Sequence, residues 1–252
     1  MNQDSVVLLT GGSRGIGLEI AKEVSKITKK IAIVGRNKEA LANAAEVTGA
    51  KTFSADVTDH VAMKKIVSDV RALWGPIDAL VLNAGIADSA KFLETDDAMF
   101  DRIMATNVKA PFQLAREVIP DMLAKKSGRI VFMASNAGLS GYALTSAYCT
   151  SKHAVVGLMR SMASEYAKTG ITVNAVCPGF VDTDMTTESI ERVVEKTGKT
   201  FDEAKKSLER ISPAQRFVSV QEVAAGAMYL LSDGARGVNG QTIVIDGGQV
   251  MK

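Results

Sequence analysis

A tyrosine and a lysine four residues apart are the residues of this sequence best suited to acid/base chemistry. Tyr148 and Lys152 lie in the stretch YCTSK, and residues at this spacing share one face of a helix. A neighbouring ammonium favours the phenolate, so we expect Lys152 to lower a phenol pKa that is normally about 10. Ser135 follows an apolar run and offers a second hydroxyl. Reduction of a carbonyl needs a proton donor and a polarising donor at its oxygen, and Tyr148 and Ser135 supply these.

A glycine-rich stretch near the N-terminus is a second candidate site. Residues 10–17 read TGGSRGIG, with an apolar run before them and helical spacing after them. Such a loop also occurs as a simple turn. A strand before it, a helix after it and another strand about twenty residues later are the parts of a dinucleotide-binding unit, in which helix N–H groups face a pyrophosphate. The candidate cofactor-binding residues of this loop are Gly11, Ser13, Arg14, Gly15, Ile16 and Gly17.

The two residues after the second apolar run, Gly35 and Arg36, bear on which dinucleotide would bind. NAD-selective sites usually have an acidic residue there, whose charge repels a 2′-phosphate. This sequence has Arg36, and Arg36 and Arg14 offer two planar guanidinium groups that suit a phosphate dianion. The alternative is two solvated arginines, but their loop positions favour NADP(H). Asp56 and Val57 follow a further short run and are candidate adenine contacts, although Asp56 could equally be a helix N-cap.

Short apolar runs alternate along the chain with longer stretches of helical spacing. The runs predict strands over 6–10, 31–34, 79–82, 129–134, 171–176 and 242–245, and the longer stretches predict helices over 16–27, 60–73, 99–122, 146–167 and 220–231. Uninterrupted apolar runs are typical of parallel strands covered on both faces, and right-handed crossovers place the helices there. The sequence therefore predicts one α/β domain over residues 1–252, a Rossmann-type doubly wound parallel sheet with helices on both faces.

The charged, helix-prone segment 186–212 interrupts this alternation and is a candidate substrate lid. The apolar residues in and beside it have partly helical spacing, so they would either cover an apolar substrate or pack on the body of the protein. These residues are Met185, Ile190, Val193, Val194 and Phe201.

Composition argues against several classes of protein. The chain has 30 Lys and Arg against 28 Asp and Glu, a net charge of +2 and no long block of one sign, so a nucleic-acid partner is not indicated. Cys149 and Cys177 lack metal-ligand spacing, which predicts neither a metal site nor a disulfide framework and fits a reducing compartment. No leader pattern or long apolar stretch is present, so we expect a cytoplasmic protein without a membrane segment.

Together these motifs resemble the short-chain dehydrogenase/reductase family, over essentially the whole chain. The matching residues are Thr10 to Gly17, Asn83-Ala84-Gly85, Asn107, Ser135, Tyr148, Lys152, and Pro178-Gly179 with Val181 and Thr183 in the segment beside the nicotinamide. The resemblance implies metal-free hydride transfer between a nicotinamide and a substrate carbonyl. It further implies that Ser135 positions the carbonyl, Tyr148 donates the proton, Lys152 lowers the Tyr148 pKa and binds ribose, and Asn107 holds a relay water. Leu82 departs from the family pattern, which usually has an asparagine there.

Within the family, three segments are similar to 3-oxoacyl-[acyl-carrier-protein] and 3-oxoacyl-CoA reductases and to polyketide ketoreductases. They are residues 170–174, 177–181 and 246–248. This similarity implies a 3-oxoacyl thioester substrate, with a free small-molecule ketone or secondary alcohol as the close alternative. Arg129 and Lys168 are candidates to attract an anionic carrier such as acyl-carrier protein, although surface cations are usually just solvated.

Two functions without catalysis are alternatives to an enzyme. A dinucleotide-binding sensor would keep the fold without turnover, but the presence of Asn107, Ser135, Tyr148 and Lys152 argues against it. A structural oligomer subunit is the other alternative. The family resemblance implies a homotetramer, and assembly of that kind is compatible with catalysis.

Overall fold

In the computed structural model, which describes residues 1–251, parallel strands form one sheet. Its order is β3-β2-β1-β4-β5-β6-β7. The strands are β1 (Val7–Thr10), β2 (Ile31–Gly35), β3 (Lys51–Ser54), β4 (Ala79–Leu82), β5 (Gly128–Met133), β6 (Ile171–Pro178) and β7 (Thr242–Ile245). The chain runs outward from β1 to β3 and then returns to place β4 on the other side of β1. This reversal opens a crevice at the carboxyl ends of β1 and β4, where ligands of such sheets bind.

Helices cover both faces of the sheet. They are α1 (Gly15–Ser25), α2 (Lys38–Thr48), α3 (His60–Trp74), α4 (Asp97–Met104), α5 (Ala110–Lys125), α6 (Ser146–Glu165), α7 (Asp184–Thr197), α8 (Phe201–Glu209) and α9 (Val220–Leu231). Apolar residues of α1, α2 and α9 pack on one face, and those of α3, α5 and α6 pack on the other. Adjacent strand residues such as Leu8 and Leu9 are both fully buried, on opposite faces, and each burial contributes about 1.5–3 kcal/mol. The predicted fold class is confirmed.

Two elements were not among the predicted helices and strands. The strand β3 lies at the edge of the sheet, pairs only with β2 and contains Lys51 and Ser54, both exposed. The helix α2 has a small apolar face, since its buried residues are Leu41, Ala44 and Thr48. Weak apolar patterning explains both omissions, because periodicity detects an element by the contrast between its buried and exposed sides.

The stretch predicted as one helix over 99–122 is instead divided. The helix α4 ends at Met104, a π-helical turn spans Ala105–Lys109, and α5 continues from Ala110. Asn107 lies inside this turn and is 3% exposed. Turns of this kind often occur at functional sites, and the side-chain contacts of Asn107 supply the reason here.

The segment 186–212 contains most of α7, all of α8 and the turn after it. Gly198 ends α7 with a φ of 70°, and a capping box of Thr200 and Glu203 starts α8. The hydroxyl of Thr186 donates to the Val181 carbonyl at 2.5 Å, and the Lys196 ammonium donates to the Ser89 carbonyl at 3.3 Å. The start of α7 is therefore bonded to the loop after β6, and its end is bonded to the loop after β4.

Among the described residues, no helix combines the length and the apolar character that crossing a bilayer requires.

Candidate active site

A cleft of about 420 Å³ opens at the carboxyl ends of the central strands. Of the residues predicted for the site, all except Asn107 line it: Gly11, Ser13, Arg14, Gly15, Ile16, Gly17, Arg36, Asp56, Val57, Asn83, Ala84, Gly85, Ser135, Tyr148, Lys152, Pro178, Gly179, Val181 and Thr183. These residues come from loops that are far apart in sequence. The order of the sheet brings them together, because parallel strands end at the same edge.

Close packing explains the glycines of the loop between β1 and α1. Gly11 has a φ of 68°, and a Cβ there would lie 2.9 Å from the Asn83 Nδ2 atom. A Cβ at Gly17 would lie 2.1 Å from the Gly11 carbonyl oxygen. The Asn83 side chain donates to the carbonyls of Thr10 and Gly11, at 3.2 and 2.9 Å. The loop is therefore held tightly against the loop after β4.

The start of α1 is suited to an anion. Arg14 is the N-cap residue, and its side chain makes no capping hydrogen bond. The N–H groups of a first helical turn have no partners within the helix, and the helix dipole makes that end positive. The residues Gly15, Ile16 and Gly17 line the cleft at this turn. A pyrophosphate therefore fits this end of the cleft.

Two exposed arginines flank the same end of the cleft. The Arg14 guanidinium lies 3.3 Å from the Asp184 carboxylate, and the Arg36 guanidinium lies 3.6 Å from the Asp56 carboxylate. Their side chains are 64% and 70% exposed. Exposed pairs of this kind contribute about 0–1 kcal/mol. A phosphate dianion can therefore compete with either carboxylate for its arginine.

The alternative role of Asp56 as the N-cap of α3 is excluded. The N-cap is Asp59, whose carboxylate accepts from Ala62 N at 3.0 Å. The Asp56 carboxylate accepts from the backbone and hydroxyl of Thr58, at 2.9 and 2.7 Å. These two bonds, followed by the charge of Arg36, lower the Asp56 pKa. Asp56 is thus an ionised group facing the cleft.

The predicted catalytic side chains meet at the other end of the cleft. Ser135 follows β5, and Tyr148 and Lys152 lie one turn apart on α6. Ser135 and Tyr148 are joined by a side-chain hydrogen bond. The Lys152 Nζ atom lies 5.6 Å from the centre of the Tyr148 ring and donates to the Met133 carbonyl at 2.9 Å. Helical spacing and the end of β5 therefore place the three side chains as the sequence predicts.

The electrostatic result differs from the sequence-based expectation. Burial raises the Tyr148 pKa to about 12, although the hydrogen bond from Ser135 acts in the opposite direction. Burial also lowers the Lys152 pKa to about 8. The Tyr148 pKa is therefore raised, whereas the sequence predicted that Lys152 would lower it, and loss of solvation is the largest cause. Tyr148 holds its proton at neutral pH, as a proton donor must, and Lys152 remains mostly charged.

Asn107 lies behind the wall of the cleft, in the π-helical turn. Its Oδ1 atom accepts from Ile86 N at 2.9 Å, and its Nδ2 atom donates to the Ile86 carbonyl at 2.9 Å and to the Ser151 hydroxyl at 3.0 Å. The side chain thus joins the loop after β4 to α6. A Cβ at Gly85 would lie 3.3 Å from Asn107 Oδ1 and 3.6 Å from Lys152 Nζ, which explains the glycine.

Sequence reasoning missed several residues that line the cleft. They are Val34, Gly35, Asn37, Ala40, Ala55, Ile86, Thr106, Met133, Ala134 and Asp184. Many are direct neighbours of predicted residues, so extending each motif by one position would have found them. Asn37 and Ala40 belong to the start of α2, which the apolar pattern did not reveal.

Arg129 does not lie at the mouth of the cleft. It is 9% exposed, lies 3.7 Å from Asp233 and donates to the Gly128 carbonyl at 3.0 Å. Burial lowers its pKa. Arg129 lies at the amino end of β5, whereas Ser135 follows the carboxyl end of the same strand. Lys168 precedes β6 and lies at the same end of the sheet, so both cations lie away from the cleft, and their role in attracting a carrier stays a prediction.

The fold and this cleft define a class of protein, a Rossmann-type nucleotide-binding enzyme with a Ser-Tyr-Lys group in its cleft. Comparison with known proteins gives the family. The family model for short chain dehydrogenase matches residues 5–193. The chain belongs to this family and is an oxidoreductase, which confirms the resemblance seen in its motifs.

Three similar proteins illustrate the relationship. The 3-oxoacyl-[acyl-carrier-protein] reductase FabG of Salmonella typhimurium is 32% identical over 251 residues, covering 99% of this chain and 98% of the relative. A crystal structure of actinorhodin polyketide ketoreductase with NADPH has a TM-score of 0.94 at 34% identity and covers 99% of both chains. A crystal structure of levodione reductase has a TM-score of 0.92 at 32% identity and covers 99% of this chain and 98% of that one.

Proposed function

We propose that this protein is an NADP(H)-dependent reductase that converts a 3-oxoacyl thioester to the corresponding secondary alcohol. The observation that carries the proposal is the meeting of two sites in one cleft, the Ser135-Tyr148-Lys152 group and an anion-binding helix start flanked by arginines. Similarity to FabG, a 3-oxoacyl-[acyl-carrier-protein] reductase, supports the substrate class. Similarity to a ketoreductase structure with NADPH supports the cofactor.

We propose that NADP(H) would lie along the whole length of the cleft. The first turn of α1 would hold the pyrophosphate. Arg14 and Arg36 would bind the 2′-phosphate, because planar guanidinium groups match its oxygens. Asp56 and Val57 would contact the adenine. The nicotinamide side would be held by Asn83, Ala84, Gly85, Tyr148, Lys152, Pro178, Gly179, Val181 and Thr183, which line the rest of the cleft.

A nicotinamide held in the cleft would supply the hydride that reduces the substrate carbonyl carbon, and residues of the chain would stabilise the charge that develops on the oxygen. Ser135 donates a hydrogen bond that positions and polarises this oxygen. Tyr148 gives it a proton, which its raised pKa of about 12 keeps on the phenol until negative charge appears. The charged Lys152 stabilises the phenolate that remains. Asn107 positions α6 against the loop after β4 through its bonds to Ser151 and Ile86.

The lid and the assembly are part of the same proposal. The chain would work as one domain over residues 1–252, and segment 186–212 would cover the substrate. Met185 supports this role, since it is 38% exposed and lines the cleft, whereas Ile190 is 3% exposed. We infer a homotetramer in the cytoplasm from the family resemblance and the two free cysteines. Light scattering on the purified protein measures the assembly.

A free small-molecule ketone is the second candidate substrate. The similarity to levodione reductase, at a TM-score of 0.92, favours it. A thioester is distinguished from a free ketone by its carrier, which lies outside the reacting group. The cleft chemistry at the carbonyl is therefore the same for both substrates.

The experiment follows oxidation of NADPH and of NADH by absorbance. The panel contains 3-oxoacyl thioesters of coenzyme A and of acyl-carrier protein, together with free ketones, and each assay is repeated with Tyr148→Phe. Turnover of thioesters with NADPH that depends on Tyr148 supports the proposal. Turnover of free ketones alone would assign the second substrate, and a preference for NADH would refute the role given to the arginines.

A further inference from the structure

The residue after Ser135 connects the proposed active site to the C-terminal segment. Asn136 begins the 3-10 turn Asn136–Gly138 and is 5% exposed. Its Oδ1 atom lies 3.4 Å from the Ser135 Oγ atom, which can donate to it. Its Nδ2 atom donates to Asp246 at 3.2 Å and to the Gln249 Oε1 atom at 3.0 Å. The Asn136 amide thus connects Ser135 to the carboxylate of Asp246, which is 110 residues after Asn136 in the sequence.

Asp246 is a buried carboxylate with several hydrogen-bond donors. It follows β7 and is 4% exposed. Its Oδ1 atom accepts from Gly248 N and Gln249 N, both at 3.0 Å. Its Oδ2 atom accepts from Val250 N at 2.9 Å as well as from Asn136. An ionised carboxylate can only accept hydrogen bonds, so it must face the NH₂ side of the Asn136 amide.

This constraint determines which atom of Asn136 faces Ser135. With its NH₂ group turned to Asp246 and Gln249, the amide presents its oxygen to the Ser135 hydroxyl. The Ser135 oxygen also accepts from Ala137 N at 3.1 Å. Besides Tyr148, two acceptors for its hydrogen, Asn136 Oδ1 and the Pro178 carbonyl, both lie at 3.4 Å. The bond from Ala137 N holds the Ser135 oxygen in place, and the two long bonds direct its hydrogen weakly enough for it to turn to a substrate.

The same group of residues packs beneath the cleft. A Cβ at Gly179 would lie 2.8 Å from Asp246 Cβ and 3.5 Å from Asn136 Nδ2. Gly179 lines the cleft beside Ser135. The amide and the carboxylate therefore lie directly behind the proposed nicotinamide side of the site.

We propose that Asn136 and Asp246 are positioning residues that set the orientation of the Ser135 hydroxyl for carbonyl reduction. The inference rests on the proposed function and assigns these two residues a role in it. Asp246 acts through Asn136, and Asn136 acts through Ser135. Neither residue touches the reacting atoms.

The test is a double-mutant cycle of Asn136→Ala and Ser135→Ala, measured with the best substrate of the panel. Removing a donor to a developing oxyanion costs about 10²–10³-fold in kcat, and we expect Asn136→Ala to lose part of this, about 10-fold. The dissociation constant for NADPH, from nucleotide fluorescence, should stay within about two-fold. If Asn136 acts through Ser135, the double variant has the kcat of Ser135→Ala alone.

Asn174→Ala is the matched control. Asn174 is 1% exposed and, like Asn136, bonds through both ends of its amide, to the Val238 carbonyl and to Gln241 N. It lies in the middle of β6 and not at the site. The Asn174→Ala substitution should lower the midpoint of thermal unfolding while leaving kcat unchanged. A merely structural role for Asn136 predicts the same result for both asparagine variants.

Asp246→Asn tests the orientation of the amide with little change of shape. The new NH₂ group would oppose the NH₂ group of Asn136, so the Asn136 amide turns and no longer presents its oxygen to Ser135. We expect kcat to fall about 10-fold in the parent and not at all in the Ser135→Ala background. Unchanged kcat in Asp246→Asn, or a further loss of kcat when Asn136→Ala is added to Ser135→Ala, overturns the inference.

The same assays separate this inference from the proposed function. If Ser135→Ala reduces with the parent kcat, or if no substrate of the panel is turned over, the proposed function fails. If Ser135→Ala is impaired as expected while the Asn136 and Asp246 variants behave like Asn174→Ala, only the positioning role fails.

Discussion

The charged groups at the two ends of the cleft differ in their exposure to solvent. At the phosphate end, Arg14 and Arg36 are exposed and their carboxylate partners are at 3.3 and 3.6 Å. At the reaction end, burial moves the Tyr148 and Lys152 pKa values to about 12 and 8. Solvated charges attract a ligand at little cost, whereas desolvated groups change how readily they give up a proton. We therefore expect substitutions at the reaction end to act on turnover and those at the phosphate end to act on cofactor affinity.

The largest effect is expected from Tyr148→Phe at the reaction end. Loss of a general acid costs about 10²–10⁴-fold, so kcat should fall by that factor. The dissociation constant for NADPH should change little, because the ring remains. Tyr229→Phe on α9, where the tyrosine is 47% exposed, is the control and should leave both constants unchanged. Near-normal kcat in Tyr148→Phe would show that another group donates the proton.

The second effect is a pH dependence of stability from Lys152. Its pKa is lowered from 10.5 to about 8, so the unfolded chain binds more protons than the folded one between these values. The contribution of Lys152 to stability should therefore rise as pH increases from 8 to 10.5, by on the order of 3 kcal/mol.

Urea unfolding of the parent and of Lys152→Met at neutral pH and near pH 10.5 measures this contribution. Other titrating groups cancel in the difference between the two proteins. The parent should gain free energy of unfolding relative to the variant as pH rises. A difference that is flat with pH would show that Lys152 is solvated in the folded protein.

The third effect concerns Arg36 at the phosphate end. A charge-assisted bond to a phosphate contributes about 1.5–3 kcal/mol, so Arg36→Ala should weaken NADPH binding about 10- to 100-fold. NADH, which has no 2′-phosphate, should bind as before, and kcat at saturation should be kept. Arg36→Lys retains the charge but loses the planar guanidinium group. Its affinity for NADPH should lie between those of the parent and of Arg36→Ala. Equal weakening of NADPH and NADH would place Arg36 away from the phosphate.

The smallest effect is expected from Asp184, which pairs with Arg14 across 170 residues of sequence. An exposed pair contributes about 0.2–1 kcal/mol, and a bound phosphate must compete with it. Asp184→Asn should therefore tighten NADPH binding about two- to five-fold, leave NADH unchanged and lose its effect in high salt. Weaker NADPH binding in this variant would show that Asp184 supports the cofactor site.

Much of the fold and the site was predictable because the signals are local. Buried parallel strands appear as apolar runs, so the central strands were predicted almost residue for residue. Tyr148 and Lys152 share a helix face through spacing alone. The edge strand β3 and the helix α2 were not predicted because each buries few large apolar residues, such as Phe53 in β3 and Leu41 in α2. One helix was predicted around Asn107, whereas the structure has a π-helical turn there. Asn107 in this turn bonds to Ile86, a residue of another loop that the local pattern does not reveal.

The sequence alone determined the chemical groups of the cleft and the class of fold, since both follow from residue type and short spacing. Only the tertiary structure decided their electrostatic state. It desolvated Tyr148 and Lys152, put Arg129 at the opposite end of the sheet, and placed Asp246 behind Asn136. Desolvation and hydrogen-bond partners depend on which distant segments meet, and the order of the strands decides that.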